Sequence, residues 1–271
     1  MMRVAFQGER GAYSEAAAMA HFGAIDPVPC RTLVEVFDTV ERGEAGRGMV
    51  PVENSQAGSI NETYDLLARR ALHIVGEHNQ RIEHCLLALP GETLESVRTV
   101  LSHPQALAQC EAFLTRRRWD TVPVYDTAGS AKIVAADRRP GVAAIAGRHA
   151  AEIYGLAVLA ENIETSPVNF TRFLALAQTP APRADRAKTS IVFTTANVPG
   201  ALYRALGAFA TRGVNLTKLE SRPRRDRPWE YMFYVDFETD HESPEGKEAL
   251  ADLAGVTAFL RVLGSYPRAS E

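Results

Sequence analysis

Cysteine is scarce. The chain has three in 271 residues, Cys30, Cys85 and Cys110, odd in number, far apart and never in a Cys-x-x-Cys pair. That pattern argues against a disulfide framework and is the thiol usage of a reducing compartment. Long hydrophobic runs are also missing, and the apolar stretch that follows Met1 already breaks at Gln7, too soon for a secretory signal or a membrane span. A soluble, cytoplasmic protein is therefore expected. There is no excess of one charge: 30 Lys and Arg stand against 33 Asp and Glu, for a net charge of −3, with no block of like sign. The electrostatic footprint for nucleic acid or an anionic membrane is thus absent. Gly8-Glu9-Arg10-Gly11 lacks the third glycine of the dinucleotide fingerprint, and no Gly-Lys-Ser/Thr follows it, which argues against a nucleotide loop. His73, His78, His84 and Cys85 lie near one another in sequence, but no pair has the short spacing of a recognised zinc site, so they read as surface or core side chains.

What is present is enough chain for about two domains that bury their own cores. Up to residue 178, short apolar runs alternate with helical patterns. Strands are expected at 3–7, 49–52, 97–101, 121–125 and 142–146, and helices at 14–20, 33–40, 61–70, from 102 onwards, at 131–136 and at 148–154. This alternation is that of an α/β fold with mostly parallel sheets. The polar run Gly76-Glu77-His78-Asn79-Gln80-Arg81 reads as the crossing into a second lobe. Four polar clusters, around Ser14, Asn54, Ser102 and Thr127, stand where a strand gives way to a helix, the edge at which open parallel sheets bind ligands. Glycine turn followed by helix also suits an anion. Two of these clusters have a plainer reading: Ser14 as a helix cap, residues 53–59 as a hydrophilic turn. A fifth cluster, Asn169-Phe170-Thr171-Arg172-Phe173, opens an apolar strand and reads most simply as an edge strand with a solvated arginine.

Thr179 to Arg186 is rich in proline and polar residues and reads as a stiff linker. Beyond it the rhythm changes. Strands at 189–195, 214–221, 229–237 and 257–263 and helices at 199–211 and 245–254 give the order βαββαβ, an α+β ferredoxin-like sandwich. Gly213 is expected to end the first helix. In the third strand Trp229, Tyr231, Phe233, Val235 and Phe237 alternate with polar or mixed residues, the period of a sheet with one covered face. A loop of proline and arginine joins it to the strand before.

These residues carry a resemblance. Pro51-Val52-Glu53-Asn54-Ser55, Ser102-His103-Pro104-Gln105-Ala106-Leu107-Ala108-Gln109-Cys110, Asp126-Thr127-Ala128-Gly129-Ser130-Ala131 and Asn169-Phe170-Thr171-Arg172-Phe173 resemble, in this order, the prephenate dehydratase family. Pro199-Gly200-Ala201-Leu202 and Asn215-Leu216-Thr217-Lys218-Leu219-Glu220-Ser221-Arg222-Pro223 resemble an ACT domain of the phenylalanine-binding kind. The resemblance implies an α/β catalytic region over residues 1–178, periplasmic-binding-protein-like, with a second lobe at about 78–160 and the site in the cleft. A linker at 179–187 and an ACT regulatory domain at 188–271 would follow. The implied reaction converts prephenate to phenylpyruvate, carbon dioxide and water on the way to phenylalanine. Thr171 takes the place of the family's required threonine, and Asn54, Ser102 and Gln109 are the corresponding site residues. The family's N-terminal loop is usually Gly-Pro-x-Gly-Thr-Phe-Ser. Here Ser14 is kept, but Ala12 stands where the threonine would be.

Losing carbon dioxide and the ring hydroxyl makes the ring aromatic, so the protein's task is to help the hydroxyl leave with a hydrogen-bond donor or general acid. Thr171 is the expected donor, relayed by Asn54 or Gln109, with Glu53 as a rival acid. A tight arginine pair on the ring carboxylate would hold the charge that must disperse. Arg172 is therefore expected on the pyruvyl carboxylate or holding its loop, and the ring carboxylate among neutral groups such as Ser102 and Thr127, with Ser14 also binding substrate. No metal or organic cofactor is needed. In the C-terminal domain Gly200, Ala201, Leu202, Asn215, Glu220 and Ser221 are expected to bind phenylalanine as a feedback effector at a subunit interface, which implies a homodimer or homotetramer. Rival readings are arogenate dehydratase, a non-catalytic amino-acid sensor and a solute-binding protein.

Overall fold

The computed structural model describes residues 1–224, 227 and 229–269. The chain begins with β1 (Met2–Gln7), α1 (Tyr13–Phe22), β2 (Ile25–Cys30), α2 (Leu33–Glu41), β3 (Arg47–Asn54) and the short β4 (Gly58–Ser59). Then come α3 (Asn61–Arg69), β5 (His73–Arg81), β6 (Cys85–Ala88), β7 (Thr99–Ser102), α4 (Pro104–Gln109), α5 (Glu111–Arg117) and β8 (Asp120–Pro123). Next are α6 (Thr127–Asp137), β9 (Val142–Ala146), α7 (Arg148–Tyr154), β10 (Ala157–Ala160) and β11 (Phe170–Ala177). The last six elements are β12 (Ala187–Thr194), α8 (Ala201–Ala210), β13 (Leu216–Pro223), β14 (Tyr231–Phe237), α9 (Pro244–Val256) and β15 (Phe259–Pro267). Two compact units result, Met1–Ile60 with His78–Phe173, and Asn61–Glu77 with Leu174–Glu271. The division falls inside β5 and β11.

In the first unit β1 pairs parallel with β2 and β3, in a sheet of order β2-β1-β3-β11-β5. β2 escapes the sequence pattern because it contains Pro27 and Pro29; as an edge strand it tolerates the missing N–H groups. β11 lies between β3 and β5, so the edge-strand reading of 169–173 fails. The polar run 76–81 is no crossing loop either. It continues β5, at the sheet's edge, and the chain passes into β6 through residues 82–84.

The second sheet has the order β10-β6-β9-β7-β8. β7 runs parallel to β8 and β9, while β6 runs against both β9 and β10. The expected parallel sheet therefore has one reversed strand, β6. Its core contains Leu86, Val100, Cys110, Leu114 and Ile145, with Leu107 and Phe113 packed against them. The helix expected from residue 102 breaks at Cys110, and Leu107, Cys110, Phe113 and Leu114 of the two pieces face the same core. α6 begins four residues before the expected start, because the Asp126 side chain caps it by accepting from Gly129 N at 2.6 Å.

The second unit contains the βαββαβ sandwich, ordered β13-β14-β12-β15 with every ladder antiparallel. Ile191, Phe193, Val235 and Phe237 pack beneath Ala205 and Phe209 of α8 and Ala249 and Leu253 of α9. The opposite face is covered too, contrary to the one-face reading: Tyr234 and Asp236 are buried. The Tyr64 ring of α3 packs tilted against Tyr234, centroids 4.9 Å apart, and Lys188 Nζ pairs with Glu77 Oε1 at 2.7 Å. Trp229 stands outside β14, with φ 68° and 80 % exposed. The loop of proline and arginine before it lies partly outside the described residues. α8 ends at Ala210, and Gly213 follows with φ 64°. Among the described residues no helix is long and apolar enough to cross a membrane.

Candidate active site

Within the first unit, the N-terminal ends of α1, α4 and α6 border one cavity of about 380 Å³. α1 contributes Ala12, Tyr13 and Ser14, α4 contributes His103, Gln105 and Gln109, and α6 contributes Tyr125, Asp126 and Thr127. β3 and β11 add Asn54, Thr171 and Phe173. Among the described residues, no lysine or arginine lines it. Negative charge in this cavity is therefore met by helix ends and neutral donors. Ala12 caps α1 without a side-chain hydrogen bond, and Ser14 is the second helical residue, which sets aside its reading as the cap.

The polarity of the floor is fixed from the backbone upward. Asn54 Oδ1 accepts from Gln56 N at 3.0 Å and from Ala57 N at 2.9 Å, which orients its amide. Asn54 Nδ2 must then donate, to Asn169 Oδ1 at 2.9 Å, Phe170 O at 3.2 Å and Thr171 Oγ1 at 3.0 Å. With Oδ1 engaged, Asn169 donates through Nδ2 to Gln109 Oε1 at 3.2 Å. Gln109 Oε1 also faces His84 Nε2 at 2.8 Å, so that nitrogen carries the proton. Burial, against weaker opposing effects of Gln109 and Glu164, holds His84 below the ordinary histidine pKa. The neutral ring therefore leaves Nδ1 as an acceptor, 2.9 Å from Tyr13 Oη, whose hydroxyl also reaches Glu83 O at 2.8 Å. Within this network two groups are left to face a ligand, the Thr171 hydroxyl proton and the Gln109 Nε2 amide.

Not every expected residue comes here. Ser14, Asn54, Gln109, Thr127 and Thr171 line the cavity; Ser102, Glu53 and Arg172 do not. Ser102 is fully buried and donates to Ile145 O at 2.6 Å, tying β7 to β9. Arg172 follows Thr171 in an extended strand, and successive side chains point to opposite faces. The carboxyl in the cavity is that of Asp126, pushed up by burial despite the hydrogen bond from Gly129 N. Tyr125 at the rim is pushed up to about 12 by burial and by its hydrogen bond to Glu9. His84, Asn169 and Asp126 were not among the expected site residues. His84 has no spacing signal; Asn169 and Asp126 stood inside motifs already singled out.

The expected effector residues are more scattered. Gly200 starts α8 with φ 76°. Ala201 is buried and Leu202 packs against the core, so both turn inward. Asn215 is exposed and donates to Glu238 Oε2 at 2.9 Å. Glu220 and Ser221 lie on opposite faces of β13, because strand side chains alternate.

A two-sheet α/β unit with a polar cavity at helix ends, in a chain that also holds a ferredoxin-like sandwich, is the architecture of a small-molecule site joined to a domain of regulatory type. The prephenate dehydratase family matches residues 4–181 and the ACT domain family residues 189–255. The chain belongs to the prephenate dehydratase family and carries a C-terminal ACT domain. Arogenate dehydratase/prephenate dehydratase 2 of Arabidopsis thaliana is 48% identical, over 98% of this chain and 73% of its own. A solved structure described as a novel type of quorum quenching acylase, GqqA, is 38% identical with a TM-score of 0.92, covering 98% of both chains. The prephenate dehydratase of Arthrobacter aurescens in complex with L-Phe is 34% identical with a TM-score of 0.90, over 98% of this chain and 90% of its own.

Proposed function

We propose that the protein converts prephenate to phenylpyruvate, carbon dioxide and water in this cavity, with Thr171 as the donor to the departing ring hydroxyl. The observation that carries this is the orientation of Asn54. Its amide donates to Thr171 Oγ1 at 3.0 Å, and so directs the hydroxyl proton away from itself. A threonine is a poor acid, and its contribution is to polarise the leaving oxygen while aromatisation drives the bond apart. Gln109 Nε2, Ser14 and the helix ends receive the pyruvyl carboxylate. The ring carboxylate lies near Thr127 without a cation, so its charge disperses freely as carbon dioxide leaves.

Ser102 acts through the backbone, Arg172 lies outside the substrate's reach, and Asp126 takes the place given to Glu53 as the nearby carboxyl. Asp126 also favours a second reading. Arogenate carries an ammonium where prephenate carries a keto group, and a carboxylate in the cavity offers that ammonium a partner. Thr171 is not suited to be an acylase nucleophile, since its Oγ1 accepts from an amide, which cannot take its proton.

The ACT domain is assigned to feedback inhibition by L-phenylalanine, bound near Gly200, Asn215 and Ser221 against a second copy of the chain. Edge strand β13 and exposed Tyr203 and Leu219 suit such pairing. Catalytic and regulatory regions divide near 178–188, and the protein is placed in the cytoplasm. Turnover of prephenate and of arogenate, each with and without L-phenylalanine, tests the assignment. Prephenate is expected to be the better substrate and phenylalanine to inhibit. Asp126→Asn decides the second reading: a selective loss on arogenate supports it, and equal effects on both substrates remove it.

A further inference from the structure

We infer that the second unit holds a binding site for a small monocarboxylate with an aromatic body, apart from the residues assigned to phenylalanine. Register places Arg222 of β13 opposite Met232 of β14, Met232 opposite Thr194 of β12, and Thr194 opposite Phe259 of β15. Directly opposed residues share a face, so these four side chains form one row across the end of the sheet. Asp65, Ala68 and Arg69 of α3, at helical spacing on one face, stand over that row. Between them lies a cavity of about 430 Å³, completed by Tyr234, Pro223 and Arg224. That is room for a ligand of amino-acid size.

Among the described residues, two polar atoms of the lining have no partner. Thr194 is 3% exposed, yet its Oγ1 makes no hydrogen bond, and Arg222 Nε is likewise buried and unpaired. Buried polar atoms are nearly always satisfied, so an orphaned pair beside one cavity points to a missing ligand. Both are donors, and one belongs to a guanidinium, which selects an anion with acceptor oxygens. The lining has Arg69, Arg222 and Arg224 against Asp65 alone. Asp65 already accepts from Arg222 Nη2 at 3.3 Å through each oxygen, which leaves an ammonium without a ready partner. Met232, Phe259 and Pro223 supply the apolar wall for a ring. An aromatic acid without an amino group satisfies all of these features.

Phenylacetate and phenylpyruvate are the probes, with full-length protein and calorimetric titration. Saturable binding is expected, undisturbed by L-phenylalanine and weakened at least about tenfold in Thr194→Val, which removes one hydrogen bond to the carboxylate. Because that hydroxyl is unpaired, Thr194→Val without probe should melt no lower than the wild type. Ala68→Phe, which fills the cavity, should also abolish binding. Failure of the wild type to bind either probe would overturn the inference. So would unchanged binding in both variants, competition by L-phenylalanine, or a lower melting temperature for Thr194→Val alone.

Discussion

Replacing Asn54 by aspartate changes one NH2 group into an oxygen and little else, and the floor of the cavity makes its effect calculable. Asn54 is 6% exposed, and its Oδ1 keeps the two backbone donors in the variant. The other oxygen then faces Asn169 Oδ1, Phe170 O and Thr171 Oγ1. Thr171 can turn its proton inward to meet the new carboxylate, which withdraws from the substrate the donor that catalysis needs. Phe170 O keeps its bond from Ser55 N at 2.8 Å, but Asn169 Oδ1 is left without a donor, at about 1–3 kcal/mol. That loss corresponds to a melting temperature lower by about 2–12 °C in a chain of this size. Activity should fall by about 10²–10³, as when a transition-state donor is removed.

The pH dependence gives the distinguishing sign. Burial among carbonyl oxygens raises the new carboxyl above its unfolded value of about 3.9. The folded state then binds the proton more tightly than the unfolded state. The deficit therefore grows as pH rises from the unfolded value through the folded one, and disappears below both. Protonation also restores a donor to the network, so activity should partly recover in mild acid. Melting curves and phenylpyruvate formation, measured in mildly acidic and mildly alkaline buffer, read both effects. A variant that at alkaline pH melts within about 2 °C of the wild type and keeps its activity would refute the reasoning.

Ser102→Ala should lower stability by about 1–2 kcal/mol through the lost bond to Ile145 O, and leave kcat within a few-fold. Near-complete loss of activity in a normally folded variant would return Ser102 to the substrate. His84 has its pKa lowered by burial, so below about 6.5 the unfolded chain takes up a proton that the folded chain refuses. The wild type should thus lose stability in acid more steeply than His84→Gln in denaturant titrations; equal slopes would contradict the neutral-histidine assignment.

The sequence showed most of the helices and strands because amphipathic spacing and loop chemistry agree along most of the chain. It failed where tertiary context overrides local preference. Pro27 and Pro29 hide an edge strand; a run as polar as 76–81 is tolerated in β5 because that strand too is at an edge. The buried second face of β14 depends on α3, more than 160 residues earlier, and nothing near Tyr234 announces it. The motifs identified which segments meet, and Asn54, Gln109, Thr127 and Thr171 do meet. They did not say which side chains face the cavity. Arg172 looked the natural anion partner by charge alone, but strand alternation sets it apart from Thr171. Ser102 had the right chemistry and is used on a carbonyl.

The most direct test of the account is turnover of prephenate by the wild type and Thr171→Val, with melting temperatures alongside. The methyl group preserves shape, and Asn54 Nδ2 retains Asn169 Oδ1 and Phe170 O, so the variant should fold as the wild type does. Activity should fall by about 10²–10⁴ with the donor gone. A stable variant that still converts prephenate at a rate close to the wild type's would show that the hydroxyl leaves without Thr171.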